Sequence, residues 1–205
     1  MKYYIIGAVM AIAIAIAVII NALKKSQYQK ILNCIQQGDH SGFENLCKSG
    51  LTKFLFPEMY IDHLRLDEAM IRNNRSDIEL CLQRLSKATL SEKDREKVYS
   101  QAYNYYLSCR DEENCRKWLN KIESLQNDRL IQETRRTFDI YIQKGDRYLD
   151  EMLEETSEME PPRAYINEYL ISLMYRNRND KINARKYEAL AKQHLEELNK
   201  IISKK

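Results

Sequence analysis

From Tyr3 to Leu23 the chain runs 21 residues without a charge, and from Lys24 onward apolar positions recur at helical spacing. The first stretch, YYIIGAVMAIAIAIAVIINAL, reaches about 30 Å as a helix, the thickness of a bilayer core. It predicts a transmembrane helix over residues 3–23, with Lys2, Lys24 and Lys25 as basic flanks and Tyr3 and Tyr4 at the interface. A cleaved leader would have to be cut after Ala22, with Ile20 where a small residue is wanted, so residues 1–25 read as an uncleaved anchor. Gly7, Ala11 and Ala15 form a small-residue stripe that could let two such helices approach as a weak homo-oligomer. Ala filling an alternating Ala-Ile run is the simpler account.

Beyond Lys24 no alternating run is bounded by turn residues, so no strand is predicted. Turn signals recur at Gly38-Asp39, Asn74-Arg75-Ser76, Arg110-Asp111, Gly145-Asp146 and Asn179-Asp180, in steps of 36, 36, 35 and 34 residues. Three apolar rows keep the same phase: Ile35, Ile71, Tyr106, Tyr141, Tyr175 before the turns, then Cys81, Cys115, Leu149, Ala184 and Leu85, Leu119, Leu153, Tyr187 after them. A period of this size marks stacked helix pairs, none of which buries its apolar face alone. The fold class expected is all-α: a transmembrane helix followed by an α-solenoid of about five helix-turn-helix units. Within residues 26–205 the units are 26–50, 57–90, 91–126, 127–160 and 161–205. Pro57 and Pro161-Pro162 mark helix starts, and Ser91 with Asp94 an N-cap.

Composition narrows this further. The chain has 205 residues, 31% charged and 44% hydrophobic, enough to fold a core. Five Gly and three Pro are too few for a sandwich or barrel. A net charge of +3 argues against a nucleic-acid partner, which needs a basic face. Lys24, Lys25 and Lys30 outweigh Lys2 and the α-amine, which places the C-terminal domain inside the cell. The odd count of five Cys suits a reducing compartment.

The order Tyr106, Arg110, Cys115, Leu119, and again Tyr175, Asn179, Ala184, resembles the tetratricopeptide repeat family: an aromatic ending the first helix, a turn, a small residue and then a larger apolar one. Tyr99 and Ala102 fit the first helix of the third unit, whereas Tyr103 stands where the family has a small residue. The resemblance implies that the first helices line a groove that binds a protein or peptide. On that frame the groove residues are Ser100, Asn104 and Leu107 in the third unit and Tyr169, Leu173 and Arg176 in the fifth.

Chemistry is sparse by comparison. His40, His63 and His194 have no partner at metal-ligand spacing, and there is no C-x-x-C, P-loop, G-x-G-x-x-G or G-x-S-x-G. Cys81 and Cys115 read as packing thiols, and the acidic run Asp150–Glu160 as a solvated face. No catalytic, metal or cofactor residue is expected. The function expected is a membrane-anchored adaptor or scaffold that binds a protein. The alternative is an exported envelope or surface chaperone with the same array outside the cytoplasm.

Overall fold

The computed structural model describes residues 2–203, apart from the side chains of residues 2–9 and 11. Among the described residues eleven α-helices follow one another, with no strand. They are α1 (Lys2–Gln37), α2 (His40–Lys48), α3 (Gly50–Leu55), α4 (Glu58–Ile71), α5 (Arg75–Lys87), α6 (Glu92–Ser108), α7 (Glu112–Glu123), α8 (Asp128–Tyr141), α9 (Leu149–Ser157), α10 (Tyr165–Asn177) and α11 (Lys181–Ile202). The chain divides into two compact units, Met1–Thr89 and Leu90–Lys205.

α7 shows why these segments are helical. Asp111 caps its first turn, Glu112 and Glu113 sit at its N-terminal end and Lys121 near its C-terminal end, each favoured by the helix dipole. Cys115, Trp118, Leu119 and Ile122 recur at three- and four-residue spacing and are all buried. Burying a large apolar side chain contributes about 1.5–3 kcal/mol, so this stripe outweighs the helix's local propensities.

The repeated element is the turn inside each hairpin. Gly38, Asn73, Arg110, Lys144 and Asn179 all have φ between 52° and 69°, the left-handed region. In four turns the next residue, Asp39, Asn74, Asp111 or Asp180, donates its N–H five residues back, to the carbonyl of Cys34, Ala69, Tyr106 or Tyr175, at 2.8–3.0 Å. The same four side chains then cap the following helix, accepting from the N–H of Gly42, Asp77, Asn114 and Asn183. One residue pair thus satisfies the end of one helix and the start of the next.

The turns occur one residue earlier than expected in two places, at Asn73 and Lys144 rather than Asn74 and Gly145. Ile71, placed in an apolar row by its spacing, is 68% exposed, whereas Ala69, four residues before Asn73 as Tyr106 is four before Arg110, takes the buried slot. The row Cys81, Cys115, Leu149 and Ala184 is buried throughout. In the fourth hairpin the Asx cap is lost: Tyr148 precedes α9 with no side-chain cap, and Ile142–Tyr148 make a longer loop. Gly145 permits that loop, because a Cβ there would meet the Asp139 carboxylate. Asn177 ties the loop to α10, donating to Ile140 O at 3.1 Å and Gly145 O at 2.8 Å.

One expectation is overturned. Among the described residues no helix is long and apolar enough to cross a membrane. α1 continues without a break past Leu23 through Lys24 and Lys25. Met10, Ile12, Ile14, Ile16, Val18, Ile19 and Leu23 are exposed, and α1 packs only from Gln27, through Ile31, against Phe43, Cys47, Ile61 and Leu64. Gly7 and Ala11 of the proposed stripe lie outside the described residues; Ala15 is exposed.

Candidate functional site

Within the unit Leu90–Lys205, α6, α8 and α10 are the first helices of the chain's last three hairpins, and two hollows lie along them. The first, about 370 Å³, is lined by Lys93, Glu96, Lys97 and Ser100 of α6 and by Asn127, Arg129, Leu130 and Glu133 at the start of α8. The second, about 730 Å³, lies between α8, α9 and α10 and includes Arg136, Thr137, Met152, Met159, Ile166 and Leu170. Both are bordered by Arg129 and Glu133, so α8 is a wall common to the two.

The walls are fixed by hydrogen bonds between consecutive first helices. Asn127 Nδ2 donates to Glu96 at 3.0 Å. Tyr103, 2% exposed, donates to the Thr134 carbonyl at 3.1 Å and lies 2.9 Å from Thr137 Oγ1. Tyr103 therefore fills a small-residue slot by satisfying its own hydroxyl on α8, and burial pushes its phenol well above the ordinary range. The larger hollow lies toward the ends of α8, α9 and α10 that are away from the Ile142–Tyr148 loop. There Arg136 holds α8 to α9, donating to Glu151 at 2.7 Å and Glu155 at 2.8 Å. Its Nε–H is buried with no acceptor among the described residues.

Of the residues expected to face a partner, Ser100 lines the first hollow. Asn104 is exposed and Leu107 half-buried, farther along α6. On α10 the side chains in the groove are Ile166, Asn167 and Leu170. Tyr169 is exposed on another face, Leu173 packs into the core around Ile171 and Met174, and Arg176 pairs with Glu188 of α11 at 2.6 Å. The Ile166-Leu170 stripe carried a signal that the sequence reading passed over: two large apolar residues four apart just beyond Pro161-Pro162.

A second cleft, about 330 Å³, lies in the unit Met1–Thr89 between α2, α4 and α5. Its cations are internally matched: Lys48 and Arg65 with Glu44, Arg72 with Glu68 and Asp77, and Arg84 with Asp62. Burial works against the charge of Glu44, but the Arg65 hydrogen bond and charge prevail and hold its carboxyl below the ordinary range. His40 Nδ1 sits 3.1 Å from Glu68. Cys81, also in the cleft, has its thiol pushed up to about 11 by burial, the reverse of what a nucleophile requires. The cleft is thus an ion-pair lattice tying three helices together.

Two further groups bear on chemistry. His194 Nδ1 lies 2.8 Å from the buried Glu168, between α11 and α10, and neither residue lines either hollow of the groove. Among the described residues no three His, Cys, Asp or Glu side chains converge on a metal position. In comparisons with known proteins, no family model, no curated protein and no solved structure matches the chain.

Proposed function

We propose that the unit Leu90–Lys205 is a tetratricopeptide-like recognition module of an adaptor or scaffold, holding a linear segment of a partner protein along α6, α8 and α10. The observation that carries this reading is the shared wall of the two hollows at Arg129 and Glu133, which makes a groove rather than a closed pocket. Recognition uses preformed geometry. The helices are fixed to one another by Tyr103, Asn127 and Arg136, so little ordering cost falls on this side of the complex.

The test compares proteins retained by the parent chain, by Ile166→Glu in the groove and by Lys117→Glu on the exposed side of α7. Loss of the same partners by Ile166→Glu, and their retention by Lys117→Glu, supports the groove. Equal retention by all three chains would sink it.

A further inference from the structure

The groove has two chemically different ends, and that difference specifies its occupant. At the α6 end, Lys93 and Lys97 lie four residues apart, so their exposed ammonium groups stand one turn apart on the same stripe. Neither forms an ion pair among the described residues. Glu133 is matched by Arg129 at 2.8 Å, and Glu96, hydrogen-bonded only by the neutral Asn127 amide at 3.0 Å, offsets one of the two lysines. This end therefore keeps a surplus of one positive charge.

At the α10 end the charge is balanced and the surface is apolar. Arg136 is answered by Glu151 and Glu155. Met152 and Leu170 form the floor, and Met159 and Ile166 stand exposed beside them, Ile166 at 54%. Two thioethers among four apolar groups give a surface that adapts to branched or straight side chains.

The spacing follows from helix packing. Neighbouring helices pack about 8–10 Å apart, so α6 and α10, with α8 between them, are separated by about 20 Å. An extended chain covers that distance in about six residues.

We infer that the groove takes a linear protein segment carrying an acidic pair at one end and, about six residues away, a cluster of apolar side chains. The acidic pair lies on Lys93 and Lys97, and the apolar cluster fills the hollow at Met152, Met159, Ile166 and Leu170. This inference rests on the groove reading above and adds the chemistry and polarity of the segment.

The experiment is a selection of displayed random dodecapeptides on the full chain, followed by binding of the enriched sequences as labelled synthetic peptides. Three chains are compared: the parent, Ile166→Glu, and the double variant Lys93→Glu with Lys97→Glu. All altered side chains are exposed, and superposable melting curves confirm that each variant folds. The expected result is enrichment of Asp or Glu at one end and apolar residues at the other. Binding should then be lost in Ile166→Glu, weakened at least about tenfold in the double variant, and salt-dependent only in the parent. Peptides lost in Ile166→Glu but lacking acidic residues, and bound equally by the double variant, would overturn the two-ended inference while leaving the groove reading intact. Absence of any enriched peptide sensitive to Ile166→Glu would overturn both.

Discussion

Arg110 offers a test in which the sign of the effect carries the answer. Its φ is 54°, its side chain is exposed, and its N–H closes the turn on Leu107 O at 3.1 Å. A non-glycine residue in this region costs about 1–2 kcal/mol, which glycine avoids. Glycine returns about 0.5–1 kcal/mol of that through its greater freedom in the unfolded chain. The net expectation for Arg110→Gly is stabilisation by about 0.5 kcal/mol, a rise of about 2–4 °C for a unit of this size. Arg110→Val, with a branched Cβ in the same region, should be destabilised relative to the parent. Were Arg110 an ordinary helical residue, the order would reverse, because glycine inside a helix costs about 1 kcal/mol. Lys144→Gly, at a φ of 56°, repeats the test in the hairpin that lacks an Asx cap. Calorimetric melting of the three Arg110 chains decides it. A lower midpoint for both glycine variants would refute the hairpin geometry described for the chain.

Tyr106→Ala removes a buried aromatic from the α6–α7 hairpin and should cost about 3–5 kcal/mol; an unchanged melting curve would remove the basis for the repeat. Tyr103→Phe deletes the hydroxyl that binds α8 at Thr134 and Thr137, and should lower stability by about 1 kcal/mol in urea titrations. Burial pushes the thiols of Cys47 and Cys81 up to about 11 and that of Cys115 up to about 12, so the stability they contribute is complete below pH 9 and is lost as pH rises toward those values. Alkylation mapped by mass spectrometry near pH 8 should accordingly label the exposed Cys109 well before these three. Because the carboxyl of Glu44 is held below its ordinary 4.5, the unit Met1–Thr89 should lose stability as pH falls below that value, and Glu44→Gln should flatten the loss.

The helical pairing was legible because its signals are local. Asp, Asn and Gly at the turns, and a buried apolar residue five positions after each left-handed residue, are spaced by the hairpin itself. Ile71 shows the limit: the buried position is Ala69, two residues earlier, and two residues rotate a helical side chain by about 200°. The same sensitivity separates Ile166 and Leu170, which enter the groove, from Tyr169 and Arg176, which lie off it. The longer loop Ile142–Tyr148 follows from what the fourth hairpin lacks, an Asx cap after Lys144, a departure that repeat spacing tends to smooth over. The apolar segment at the start of the chain suggested a span by its length, its lack of charge and its lysine and tyrosine flanks. Its described part ends at Leu23 and continues as a lysine-bearing helix that packs on α2 and α4.

The most direct measurement of the recognition surface is site-specific photocrosslinking in the native cell extract. A photoreactive residue is placed at Asn167 in the groove, or at Asn120 on the exposed side of α7. The account predicts a discrete protein adduct from Asn167, abolished by Ile166→Glu, and none shared with Asn120. Adducts that form equally from Asn120, or that persist from Asn167 in the Ile166→Glu chain, would contradict it.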